Sequence, residues 1–104
     1  MKNDSFKDFV EEQLSGLADL RCKGMFVGFG LYEGSKFFGI ISKGILYFKT
    51  DESSRNAYIE QGMKPFKFSE KQTLKNYYEV PADVLEDREK ILKFAEISIA
   101  IPWS

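Results

Sequence analysis

The sequence predicts an α+β domain built on a five-stranded antiparallel sheet, in the order α-β-β-β-α-β-β-α, and three observations lead there. Residues 22–49 carry six glycines, at 24, 28, 30, 34, 39 and 44, with short apolar runs between them. In Glu33-Gly34 and Lys43-Gly44 a charged residue precedes the glycine, and each pair is flanked by aromatic and β-branched residues. Glycine accepts the positive φ of a tight turn, so both pairs read as hairpins. Apolar residues at helical spacing flank this meander near the two ends of the chain.

The elements follow in order. Asp4 or Ser5 can cap a first helix, on which Phe6, Phe9, Val10, Leu14 and Leu17 form one apolar stripe; Gly16 and the Ala18-Asp19 region end it. Residues 20–26 lead into three antiparallel strands over 25–32, 35–42 and 45–49. Phe37-Phe38-Gly39-Ile40-Ile41 is apolar on both faces, as a central, well-covered strand requires. Gly39 within it implies close approach by another backbone or a large ring. The cap-rich stretch Thr50-Asp51-Glu52-Ser53-Ser54 opens a short helix over 52–61, with Gly62 as its left-handed stop. Two further strands occupy 65–68 and 74–80. Pro81 then ends the last strand and opens a helix over 82–101. That helix carries two stripes. Ile91, Leu92, Ala95 and Ile99 form one, and Phe94, Ile97 and Ile101 form another offset by roughly 90°. The second stripe either wraps further around the same core or meets another subunit or domain, and Trp103 fits both alternatives. As an interface it makes Phe94→Glu a substitution that abolishes a dimer and spares the fold.

At 104 residues the chain reads as one domain, residues 1–104, with room for a single core. No basic-then-apolar leader and no run of about 20 apolar residues is visible, so neither a secretory signal nor a membrane segment is expected. A lone cysteine suits a reducing compartment, and a cytoplasmic location is the expectation. The net charge of −1 is unevenly spread: residues 1–20 and 76–104 each carry −3, while residues 21–75 carry +5. Either the two kinds of surface complement each other within the domain, or the sheet segment faces an anion, with Lys23, Lys36, Lys43 and Lys49 as the contacts.

Catalysis finds little support. The chain has no histidine, which removes Ser–His, Cys–His and histidine-metal arrangements together. Cys22 stands between two cations, Arg21 and Lys23, but lies on a strand without an orienting base and reads as a small core residue. Gly28-x-Gly30 resembles a nucleotide loop only superficially, since β-favouring residues follow where a phosphate loop needs a helix N-terminus. Glu79, Asp83, Glu86, Asp87 and Glu89 cluster where a helix begins, and capping accounts for them. No catalytic residue, cofactor or metal is expected. Lys36, Lys43, Lys49, Lys64, Lys67, Lys71 and Lys75 do alternate with Phe37, Tyr47, Phe66, Phe68 and Tyr77, a pattern that can bind single-stranded nucleic acid by stacking. Against this, the chain has no RNP-like motif, no helix-turn-helix and no net positive charge.

Met25-Phe26-Val27-Gly28-Phe29-Gly30-Leu31-Tyr32 resembles the Met-Phe-Gly-Gly-x-Gly-Leu-Tyr signature of the TfoX N-terminal domain family. Ile45-Leu46-Tyr47-Phe48-Lys49 with Asp51, then Gly62 with Pro65-Phe66, then Tyr77-Tyr78-Glu79-Val80-Pro81 are similar to its later landmarks, in order. The chain departs from the signature in having Gly24 where a basic residue precedes Met-Phe, with Lys23 one place earlier, and Val27 where the family has glycine. The resemblance implies a secretion-chaperone-like α+β fold with helices mainly on one face of the sheet, and a link to regulators of DNA-uptake competence. The longer regulators carry a second domain; this chain resembles a single-domain member. Together with the residues, the resemblance predicts a small non-catalytic regulatory module that binds a protein partner or its own copy. A nucleic-acid-associated regulator working through the basic sheet is the alternative.

Overall fold

A computed structural model describes residues 4–102; Trp103 lies outside the described residues. Among these residues the chain forms four helices and six strands: α1 (Asp4–Gln13), β1 (Leu20–Met25), β2 (Gly28–Glu33), β3 (Lys36–Ser42), β4 (Ile45–Lys49), α2 (Glu52–Ile59), β5 (Pro65–Lys67), β6 (Thr73–Glu79), α3 (Ala82–Leu85) and α4 (Arg88–Ala100). The strands make one antiparallel sheet in the order β1-β2-β3-β4-β6-β5. The α+β class is as expected, but the sheet has six strands rather than five.

The additional strand is β1. Met25 pairs with Gly28, so Phe26-Val27 is a two-residue hairpin turn inside what reads as one continuous strand. The misreading has a simple cause: phenylalanine and valine favour strands, and neither adopts positive φ here, so no turn signal is present. The backbone solves the reversal at Gly28 instead, with φ at 149°. The two expected hairpins are present. Gly34 takes φ 62°, and Lys43 and Gly44 both take positive φ, 55° and 75°, between the paired Ser42 and Ile45.

α2 begins and ends as its sequence dictates. Asp51 accepts from the Ser54 amide while the Ser54 hydroxyl accepts from the Asp51 amide, a reciprocal capping box. Gly62, at φ 78°, donates to the Ile59 carbonyl and Met63 donates to that of Tyr58, which closes the C-terminus as a Schellman pair. The final helix is not continuous over 82–101. After α3 the Asp87 carboxylate accepts from the amides of Glu89 and Lys90 and starts a second helix. α1 stops at Gln13, and residues 14–17 continue as turns rather than helix.

All four helices cover one face. Val10 and Leu14 of the N-terminal segment, Tyr58 of α2, Val84 of α3, and Ile91 and Ala95 of α4 enclose Leu31, Phe38, Ile41, Leu46 and Phe48 of the sheet in a single buried cluster. Gly39 sits where a Cβ would meet the Tyr47 carbonyl at 3.0 Å and the Phe48 ring at 3.2 Å, so both the backbone and the ring anticipated beside it are there. Two polar bonds fix the helices in place. The buried Ser98 hydroxyl donates to the Lys49 carbonyl at 2.7 Å, and the Gln13 side-chain amide donates to the Leu85 carbonyl at 3.0 Å.

The residues Phe94, Ile97 and Ile101 differ in burial. Phe94 packs partly buried against the core, edge-on to Tyr58 at 5.4 Å between ring centroids. Ile97 points outward at 53% exposure, and Ile101 is the half-buried C-cap. Phe94→Glu therefore strikes the core contact with Tyr58, and only Ile97 of the three presents an open apolar side chain.

The contrast between two glycines tests this account. A Cβ at Gly28 would stand 2.0 Å from the Ile41 carbonyl oxygen on a backbone at positive φ, whereas Gly24 has nothing within 4 Å. Gly28→Ala is expected to cost more than about 3 kcal/mol and Gly24→Ala under about 1 kcal/mol in urea unfolding. Ser98→Ala, which removes the buried hydroxyl bond to the Lys49 carbonyl, should cost about 1–2 kcal/mol in the same assay.

Candidate functional site: an aromatic groove on the open face

The sheet face turned away from the helices carries its own apolar assembly. Ile40 and Phe66 are 1% and 3% exposed, yet neither belongs to the helix-side core. On this face Tyr47 lies against Phe66 with centroids 4.6 Å apart, and Phe66 against Phe68 at 5.9 Å. A second run links Tyr32 to Phe37 at 5.1 Å and Phe37 to Tyr77 at 5.6 Å. Between the two runs lies a groove of about 590 Å3, lined on one side by Met25, Phe26 and Val27 and on the other by Phe66, Phe68 and Leu74, with Phe37 and Ile40 between.

The lining reveals the shape of the sheet. Met25 to Val27 belong to the β1 edge, while Phe66 to Leu74 belong to the β5–β6 hairpin at the opposite edge. In a flat six-stranded sheet those edges would stand roughly 24 Å apart. They line one groove because the sheet is curled about its helix-free face. Gly30 permits the closure at one end, since a Cβ there would meet the Met25 sulfur at 2.7 Å and the Phe37 ring at 2.9 Å. A smaller hollow of about 270 Å3 continues the groove past Phe26 and Phe68 toward Lys43, Ile45 and Tyr47.

Phe26 is the outstanding feature. At 105% relative exposure, its ring stands wholly in solvent at the tip of the β1–β2 turn. Phe68, Leu74 and Met25 are also exposed large apolar side chains, at 41%, 37% and 36%. A fully exposed phenylalanine contributes nothing to the core, and clustered exposed apolar residues mark contact surfaces.

The sequence-derived residues distribute themselves between the two faces. Leu31 is core, Tyr78 lies by Tyr58 on the helix side at 6.2 Å, and the buried Pro81 leads into α3. Met25, Phe26, Gly30, Tyr32 and Tyr77 lie on the groove face or at its rim, and Gly28 makes the turn that carries Phe26. The lysines Lys23, Lys36, Lys43 and Lys49 do not form one patch: Lys36 and Lys43 sit at opposite ends of β3, some seven residues or about 23 Å apart. Lys23 lies over the Tyr32 ring at 5.2 Å, and Lys36 donates to the Ile99 carbonyl at 3.3 Å. Around the groove the basic residues are instead Lys43, Lys67, Lys71 and Lys75, which line the hollows that adjoin it.

Reading 20–26 as a lead-in concealed Phe26 and Phe68 as a pair. The available signal is the period: Leu20 and Cys22 alternate with the exposed Arg21 and Lys23. Burial, reinforced by Glu11, raises the Cys22 thiol above its ordinary value, the reverse of activation. Asp87 is consumed as a helix cap, and Asp83 pairs with Lys90 at 3.7 Å. Among the described residues no group of three or more Cys, Asp or Glu side chains could hold a metal ion, and no helix is long and apolar enough to cross a membrane.

The family model described as the TfoX N-terminal domain matches residues 12–101. That span takes in all six strands, both sides of the groove and most of the helix layer. No curated protein matches the chain.

The groove-face tyrosine Tyr77 offers a pH test. Burial first, and the neighbouring Tyr32 second, push its hydroxyl up to about 12. The unfolded chain gives up that proton near pH 10 and the folded chain does not, so the contribution to stability is intact below about pH 10 and is lost as pH rises toward 12. Tyr58, raised by burial beneath α4, acts in the same direction. Urea midpoints should stay level from pH 7 to about 9 and fall steeply above 10, and Tyr77→Phe should make that fall shallower. An unchanged slope in the variant would show that Tyr77 is not held in this way.

Proposed function

The chain belongs to the TfoX N-terminal domain family, and from that premise we propose that it is a non-catalytic regulatory module that works by holding a partner protein in the groove of its open sheet face. The observation that carries the reading is Phe26, a phenylalanine wholly exposed on a two-residue turn beside an apolar groove of about 590 Å3. A turn has no folding need for such a residue, and polar turn formers would reverse the chain more readily. The lack of histidine and the raised Cys22 thiol support a role in binding rather than bond-making. Within the regulatory reading, control of DNA-uptake competence is the setting that the family name suggests.

A nucleic-acid-associated regulator draws on the same face. Its supporting observation is the set of lysines beside aromatic rings, Lys43 and Lys67 next to Tyr47 and Phe66 in particular. It would show binding that weakens steeply with salt, because each phosphate contact releases counterions.

Photo-crosslinking in cells separates the readings. A crosslinking amino acid at position 26 should give protein adducts that survive nuclease, and one at position 97 should give none. Adducts from position 97 alone would move the contact to α4, where self-association through Ile97 would be the explanation; nuclease-sensitive adducts at position 26 would favour the nucleic-acid reading. With the crosslinker placed at position 68 instead, Phe26→Ser should abolish capture while shifting the thermal midpoint by no more than about 2 °C, since the Phe26 ring buries nothing in the free chain.

A further inference from the structure

The groove has a sign. Lys43 and Lys67 line the hollow that continues it past Phe26, and Lys71 and Lys75 line a shallow depression that shares Phe68, Gln72 and Leu74 with it. None of these four lysines takes part in an ion pair or side-chain hydrogen bond among the described residues. The salt bridges lie elsewhere, on Lys7, Arg21, Arg88 and Lys90. Residues 64–75, which contribute one wall, carry four lysines against the single acid Glu70. Four lysines without ion pairs among the described residues, beside a largely apolar trough, constitute half of a complementary interface.

We propose that the occupant is an acidic amphipathic segment of a partner protein, its apolar side chains seated over Ile40 between Phe26 and Phe68 and its carboxylates on Lys43, Lys67, Lys71 and Lys75. The inference rests on the groove being the docking surface and adds the chemistry of what docks there.

Two other occupants fit less well. A second copy meeting groove to groove would bring the lysines of one molecule against those of the other, because a two-fold contact pairs a surface with itself. Single-stranded nucleic acid would satisfy the lysines but needs open ring faces on which bases stack. Here Tyr47, Phe66 and Phe68 are tilted against one another at 4.6 and 5.9 Å, which leaves Phe26 as the one wholly open ring of the lining, while Ile40, Met25, Val27 and Leu74 supply aliphatic surface on which bases do not stack. Aliphatic and aromatic side chains inserted from an amphipathic peptide match such a lining, and acidic residues on the flanks of that peptide match its rim.

The test is a display selection on the immobilised full chain, using random peptides of about 16 residues, long enough for roughly four helical turns. The selected peptides are then measured by fluorescence anisotropy against the native chain, Phe26→Ser and the double variant Lys67→Glu/Lys71→Glu, with a labelled oligo-dT strand run in parallel; thermal melts establish that both variants are folded. The expected winners are net acidic with apolar residues at helical spacing, and each variant binds them at least about tenfold more weakly. Winners that are neutral or basic but still need Phe26 would overturn the acidic occupant and leave the groove as a docking surface. Winners indifferent to Phe26→Ser, or no winners at all, would overturn the groove itself. Oligo-dT binding that displaces the peptides and collapses with salt would assign the face to nucleic acid instead.

Discussion

One extra residue in β3 decides what each face of the sheet can do. Tyr32 pairs with Phe37 and Leu31 with Gly39, so Phe38 is left over as a bulge opposite β2. In an unbroken strand, residues 37, 39 and 41 would share one face and 38 and 40 the other. The bulge resets that parity in mid-strand: Phe38 and Ile41 both reach the helix-side core, while Phe37 and Ile40 both reach the open face. A single strand thus supplies rings and aliphatics to two separate apolar assemblies. The bend that accompanies a bulge also contributes to the curl that brings the two edges of the sheet over one groove.

The helix layer makes this arrangement affordable in energy. Four helices packed on one face supply a core that includes Phe38, Phe48, Leu31 and Ile91, all essentially without exposed surface, each worth about 2–3 kcal/mol on burial. Ser98 ties α4 to β4, and Gln13 ties the end of α1 to the α3–α4 junction, where Arg88 also reaches Glu12. Because these contacts all lie on the far side of the sheet, the open face can be given over to binding without removing a residue from the core. The charges are divided in the same way. Acidic residues gather on the helices, several of them as caps or ion-pair partners, whereas the lysines of the β3–β4 turn and the β5–β6 hairpin form no ion pair among the described residues.

What was legible in the sequence and what was not follow one physical division. Hairpins marked by glycine after a charged residue, the Asp51 cap and the Gly62 stop are local: each is determined by a few side chains and one φ angle, and each is present. The class of the fold followed from these. β1 was missed because its turn is made of Phe26-Val27, residues chosen against turn propensity, and the only local mark is a glycine one place late at Gly28. The break at Asp87 was missed because its cluster of carboxylates fits the start of one helix as well as the starts of two. The second stripe of the last helix is unevenly buried for a tertiary reason: Tyr58 of α2 packs against Phe94, Ser98 rather than an apolar residue takes the buried position one turn on, and Ile97 stays exposed. The groove was the least legible of all, since it needs the two edges of the sheet to be brought together.

The turn that breaks the local rule is also the place where function is best sought. Natural sequences agree with their folds at most positions, and a disagreement without a structural gain points to another use. Phe26 disagrees twice, by occupying a tight turn and by standing fully in water. Covering its ring would remove roughly 150–200 Å2 of apolar surface from solvent, a gross gain of about 4 kcal/mol available only on binding. Phe68 and Leu74 on the facing hairpin offer further apolar area, and the lysines beyond them offer charge. A surface that gains nothing in the free chain would gain several kcal/mol when covered by the proposed partner, and the lysines beside it, which form no ion pair among the described residues, would favour an acidic one.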